Sequence, residues 1–215
     1  MSETPELDAA FGVATRPPAE PARKRPKPGE RRVQILQALA AMLEHPGSER
    51  VTTAALAARL DVSEAALYRH FASKAQMFEG LIEFIESSVF TLVNQVVERE
   101  PSGAAQARKI AALLLQFGEK NPGMTRVMVG DALVFEHERL GARMNQFFDR
   151  LEAQLRQCLR AAAEAAGSPT PTVDAQALAS AIVCFTIGRL QRYARSGFKR
   201  SPLEHLDTAL ARLTA

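Results

Sequence analysis

Thr52, Thr53, Ser63, Glu64, Tyr68, Arg69, His70 and Lys74 fall in one short stretch of this chain, with the small residues Ala65 and Ala66 among them. These groups suit recognition better than bond making. Hydroxyls and backbone N–H groups at a helix start, a phenol, an imidazole and an ammonium all meet phosphate oxygens well. Alanines on the outer face of a helix let it come close to base edges. Upstream, Lys27, Arg31 and Arg32 continue a basic run begun by Arg23, Lys24 and Arg25, with Glu30 as its only acidic neighbour. Such an arm neutralises phosphates and releases counterions. The whole chain carries a net charge of only +3, so the field is local.

Catalytic signatures are missing. There is no glycine-rich phosphate loop and no G-x-S-x-G, and Glu136-His137-Glu138 lacks the second histidine that a zinc-binding H-E-x-x-H helix needs. His45, His70, His137 and His205 are scattered, and Cys158 and Cys184 stand far apart within helical apolar patterns. The expectation is a protein that is not an enzyme and has no metal, disulfide framework or cofactor.

The recognition residues need a scaffold, and the chain around them supplies a helical one. Of the 215 residues 47% are hydrophobic and 24% charged, and aliphatic residues and alanine dominate while Trp is absent. That balance favours helices over strands and predicts an all-α fold. Residues 1–28 are rich in proline without an apolar period and read as a disordered basic arm. Val33, Leu36, Leu39, Ala40 and Leu43 then recur at helical spacing until His45-Pro46-Gly47. Thr52 or Thr53 caps a second helix, Asp61-Val62 makes a turn, and Ser63 caps a third helix running from Glu64 to about Phe71. Leu56, Ala57, Val62, Leu67 and Phe71 point inward, leaving the polar set outside: two short helices joined by a tight turn, of which the second fits a major groove about 12 Å wide.

Ser73 and Gln76 resemble a capping box and open a long helix whose expected buried period includes Met77, Phe78, Leu81, Ile82, Ile85, Val89, Leu92, Val93 and Val96. A fifth helix with Ile110, Leu113, Leu114 and Phe117 ends at Asn121-Pro122-Gly123, and one or two short helices follow from Met124 to Glu136. Another long helix runs from about Glu138 to Ala166, and a further one is capped by Thr172 and ended by Gly197. Ser201-Pro202-Leu203-Glu204 predicts the first turn of a last helix. No apolar run approaches the roughly 20 residues of a membrane span, and the N-terminus lacks a signal-peptide core, so a cytoplasmic setting without a membrane is expected.

Thr52-Thr53, Ala57, Val62-Ser63, Leu67-Tyr68-Arg69-His70-Phe71 and Ser73-Lys74 together resemble the TetR-type repressor domain over about residues 30–81, with Asp61 where many members carry glycine. The resemblance implies a TetR-like fold: a three-helix helix-turn-helix DNA-binding domain at 29–75, followed by a helical dimerisation and partner-binding domain at 76–215. Val62 to Phe71, Leu81-Ile82-Glu83-Phe84-Ile85-Glu86, Asn121-Pro122-Gly123, Phe135-Glu136, Glu152 to Gln157 and Phe198-Lys199 are similar to the nucleoid occlusion branch of that family. That branch implies a homodimer on palindromic double-stranded chromosomal DNA that antagonises the tubulin-like division protein FtsZ, with Phe84, Leu113, Lys120 and Asn121 as the partner-binding positions. From the residues alone, core packing of Phe84 and Leu113 stays open. The alternative function is a ligand-controlled transcriptional repressor.

Overall fold

The computed structural model describes residues 29–45 and 51–214. Lys27 and the rest of the expected arm lie outside the described residues. Among those described, the regular structure is helical: α1 Glu30–Leu43, α2 Thr53–Arg59, α3 Glu64–Tyr68, α4 Lys74–Arg99, α5 Gly103–Lys120, α6 Pro122–Met128, α7 Glu138–Ala165, α8 Pro171–Arg195 and α9 Leu206–Leu213, with one 3-10 turn at Asp131–Leu133.

The first three helices enclose a small core of Ile35, Leu39, Leu56, Leu67 and Phe71, each exposing 1% or less of its surface. Each such side chain contributes about 1.5–3 kcal/mol by leaving water. Thr52 caps α2 by accepting from Ala55 N at 3.2 Å, and Ser63 caps α3 by accepting from Ala66 N at 3.3 Å. The turn between them needs a left-handed residue, and Asp61 supplies it at φ 54°. Aspartate tolerates that region better than most residues, so the departure from glycine costs little. Helix α3 stops at Tyr68, about three residues short of the expected end, because the chain tightens there into a turn with His70 N donating to Leu67 O.

Helix α4 passes without a break from this core into the C-terminal one. Ser73 accepts from Gln76 N at 3.2 Å as expected, but the Gln76 side-chain oxygen Oε1 accepts from Ala72 N rather than from Ser73 N. Its buried side chains are Met77, Phe78, Leu81, Ile82, Ile85, Val89 and Val93; Leu92, expected inside, is 40% exposed because it lies off that stripe. Helices α5, α7 and α8 form the main bundle, α7 and α8 sharing the most extensive contact. On α7 the stripe Leu140, Met144, Phe147, Leu151, Leu155 and Cys158 is buried throughout. Burial pushes the Cys158 thiol above its ordinary pKa.

Three sequence expectations need correcting. Helix α8 begins at Pro171, so Thr172 lies inside it instead of capping it. Ser201-Pro202-Leu203-Glu204 is a turn: Ser201 Oγ accepts from Leu203 N at 3.1 Å, and α9 starts only at Leu206, behind a left-handed His205 at φ 52°. Helices α4 and α8 are each long and apolar enough to cross a membrane by length and composition, a property that a search for uninterrupted apolar runs misses. In both, a continuous stripe of these apolar residues packs into the bundle core.

The two cores are joined where α6 meets α1. A Cβ on Gly123 would lie 2.0 Å from the Ala40 carbonyl oxygen, so only glycine permits this approach, and Arg126 Nη1 donates to Leu43 O at 3.3 Å beside it. Gly123→Ala is expected to lower stability by about 1–3 kcal/mol through overpacking. Gly141→Ala, in α7 with nothing within 4 Å of its Cβ position, is expected to raise stability by up to about 1 kcal/mol. Guanidinium unfolding followed by circular dichroism checks both; equal midpoints for the two variants would contradict this account of the junction.

Candidate functional site

The outer surface of α2 and α3 is built by the caps just described. Thr53 Oγ1 donates to Glu64 Oε2 at 2.6 Å, tying the start of α2 to the start of α3, so Glu64 is held by the protein instead of standing free. Ala65, Tyr68, Arg69 and His70 are exposed, while Ala66 is half-buried. Tyr68 is 44% exposed, which leaves its phenol available on the outer face of α3. From α1, Arg32 donates to the His70 carbonyl and its guanidinium carbon stands 4.1 Å from the centroid of the Phe71 ring, so this arginine braces the end of the recognition segment. Arg31 lies beside it, half-buried. The structure therefore brings Thr52, Thr53, Ser63, Glu64, Ala65, Ala66, Tyr68, Arg69, His70, Arg31 and Arg32 onto adjoining elements.

Lys74 has a different setting from the one expected. Its ammonium pairs with the Glu136 carboxylate from the segment before α7, and the two side chains expose only 21% and 10% of their surface. This pair heads a series between α4 and α7. Arg139 Nε meets Glu79 at 2.7 Å, and Arg143 holds Glu86 through both Nε at 3.2 Å and Nη2 at 2.7 Å while its Nη1 donates to the Glu79 carbonyl. The hydrogen bond to Glu86 raises the Arg143 pKa further above its ordinary value, against the opposing effect of burial. Sequence reading missed Glu136 as a partner because the two residues lie 62 positions apart.

On the other side of α4 a groove runs between α4 and α5. Phe84 is 48% exposed, which rules out the core reading for it; Leu113 is half-buried and lines a cavity of about 200 Å³ with Leu92, Gln95, Val96, Arg99, Glu100 and Lys109. Lys109 Nζ donates to Glu100 Oε2 at 2.6 Å, and this bond together with the Ser102 backbone N–H holds the Glu100 carboxyl below the usual carboxylate range. Lys120 is exposed at the end of α5, and Asn121 Nδ2 donates to Phe117 O at 2.7 Å as the helix closes. Leu92 and Leu113 thus give the cavity an apolar lining, with Arg99 and Lys109 as its cations, while Phe84 is exposed earlier on α4 and Lys120 at the end of α5. Leu92 was the missed member, and its position two helical turns after Phe84 was the available signal.

Comparison with known proteins places the chain in a family. Residues 35–81 match the family model described as bacterial regulatory proteins, tetR family, and residues 103–215 match the SlmA-like C-terminal domain of the tetracyclin repressor-like class. The chain is 52% identical over 182 residues to nucleoid occlusion factor SlmA of Photobacterium profundum, covering 84% of this chain and 92% of that one. It is 51% identical over 187 residues to nucleoid occlusion factor SlmA of Escherichia coli O9:H4, covering 86% and 94%. Among solved structures, the transcriptional regulator FadR of Bacillus subtilis in complex with stearoyl-CoA superimposes with a TM-score of 0.69 at 12% identity, over 85% of this chain and 97% of that one, which shows the fold alone. On these grounds the chain belongs to the SlmA family of TetR-type helix-turn-helix proteins.

Proposed function

We propose that this chain is a nucleoid occlusion factor: a cytoplasmic, nucleoid-associated homodimer that binds palindromic chromosomal DNA through α3 and, while bound, blocks FtsZ assembly through the groove between α4 and α5. The observation that carries the reading is the pairing of two unlike surfaces on one helix. Helix α4 begins beside the recognition segment and carries Phe84 and Leu92 outward on its further turns. An apolar floor with cations beside it suits an acidic segment with apolar anchors. For the dimer, the outward residues Ala177, Ala181, Cys184 and Gly188 of α8 are small and follow helical spacing, which lets two copies of α8 approach closely beside α7. A two-fold axis there sets two recognition helices on a two-fold symmetric site.

The Lys74–Glu136 pair gives DNA a way to act on the C-terminal part. A phosphate arriving at the start of α4 competes with Glu136 for the Lys74 ammonium, and losing that contact loosens the segment before α7, where Val134 and Phe135 are already exposed. A ligand shifts such an equilibrium only by its differential affinity for the two states. The phosphate supplies that difference.

Two expected outcomes test these assignments. Tyr68→Ala should weaken binding to all DNA sequences by about tenfold, on the order of 1.4 kcal/mol, whereas Phe84→Ala should leave DNA binding and melting temperature unchanged and weaken FtsZ binding by a similar factor. Fluorescence anisotropy with labelled duplex and labelled FtsZ reads both, and loss of DNA binding in the Phe84 variant would overturn the division of surfaces. Glu136→Gln frees Lys74 for phosphate, so DNA affinity should rise and the slope of log K against log salt should steepen by about 0.9. An unchanged slope would show that Lys74 does not change partners.

A further inference from the structure

At the C-terminal end of α8 a cavity of about 250 Å³ is walled by Arg189, Arg192, Arg200, Pro202, Glu204 and His205, together with Ser201. Its charge is unbalanced. Among the described residues no carboxylate forms an ion pair with Arg189, Arg192 or Arg200, and Glu204, the acidic residue in the wall, has His205 Nε2 near it at 3.9 Å. Arg189 is fixed before any ligand arrives: its Nη1 donates to Pro202 O at 2.9 Å and to Glu204 O at 2.7 Å, and its guanidinium carbon stands 4.5 Å from the centroid of the Phe185 ring. Those bonds use one nitrogen and leave Nε and Nη2 to face other acceptors. Burial, and then the charge of Arg192, hold the Arg189 pKa below its ordinary value, with the Glu204 charge acting in the opposite direction.

We infer that this cavity is a phosphate-binding site, taking the phosphate or diphosphate group of a phosphate ester between the guanidinium groups of Arg189, Arg192 and Arg200. Planar, permanently charged forks from two separate elements suit a tetrahedral polyanion better than a single carboxylate, because each can give two parallel hydrogen bonds. The last turn of α8 carries Arg192 and Arg195, and cations there also oppose the negative end of the helix dipole. That role accounts for neither the anchoring of Arg189 nor the placing of Arg200 across the cavity. The turn that brings Arg200 there includes left-handed Phe198 at φ 63° and closes at left-handed His205, so the chain holds two unfavourable backbone conformations to form this wall. The phosphate comes either from DNA backbone beyond the recognition site or from a free phosphorylated small molecule.

Calorimetric titration of the full dimer with inorganic pyrophosphate is the test, comparing the natural chain with Arg192→Ala/Arg200→Ala and with Arg192→Lys/Arg200→Lys. Both residues are exposed, so circular dichroism melting should stay the same and confirm that each variant folds. Saturable binding that falls at least tenfold in the alanine pair and recovers in part in the lysine pair supports the site. If the alanine pair also loses severalfold affinity for a long duplex but none for one trimmed to the palindrome, DNA backbone is the source; if duplex length makes no difference, a free phosphorylated molecule is. Absence of saturable pyrophosphate binding, or equal affinity in the natural chain and the alanine pair, overturns the inference.

Discussion

Helix α4 has to satisfy two cores with one apolar stripe. Met77, Phe78 and Leu81 lie toward the helix-turn-helix, while Ile85, Val89 and Val93 continue the same face along the bundle. Because the stripe is continuous, rotating the helix to improve either core would expose the other. The two halves of the molecule are therefore held at a fixed phase about the α4 axis. What α4 leaves uncovered follows from that phase: Glu79 and Glu86 face α7 and pair with its arginines, and Phe84 and Leu92 stay exposed. The contact between Gly123 and Ala40 closes the arrangement from the far side by fastening α6 to α1.

Apolar packing sets this geometry, and charge makes it responsive. A core changes arrangement only by opening voids, so it transmits position without yielding. A mostly covered ion pair such as Lys74–Glu136 gives up one partner only to a group that satisfies the ammonium in its place, which a phosphate does. The Lys74–Glu136 pair sits where such exchange is useful, at the first turn of the helix that follows the recognition segment. Farther along, the two-point contact between Arg143 and Glu86 is more constrained in geometry and anchors the same interface.

Much of this was legible in the sequence because it was local. Helical periods, the caps at Thr52, Ser63 and Ser73, and the left-handed turn at Asp61 depend on neighbouring residues, and the structure keeps all of them. The last helix was misplaced because Ser201-Pro202-Leu203-Glu204 fits a capping pattern, yet Ser201 donates to Glu119 on a distant helix and the backbone turns instead. Leu92 was misassigned because it stands next to buried Val93, and a period of 3.6 residues blurs the edge of a stripe over seven turns. Partners far apart in sequence, such as Lys74 with Glu136 or Arg189 with the carbonyls of Pro202 and Glu204, leave no local pattern to read.

The central claim is that DNA binding and division control are two faces of one rigid helical unit. Sedimentation of FtsZ polymers formed with GTP, in the presence of this protein with and without duplex DNA carrying its selected palindrome, tests it most directly. The account predicts that the DNA-bound protein lowers the polymer yield more than the free protein does. Unchanged polymer yield in the presence of specifically bound DNA would contradict it and would favour a ligand-controlled repressor instead.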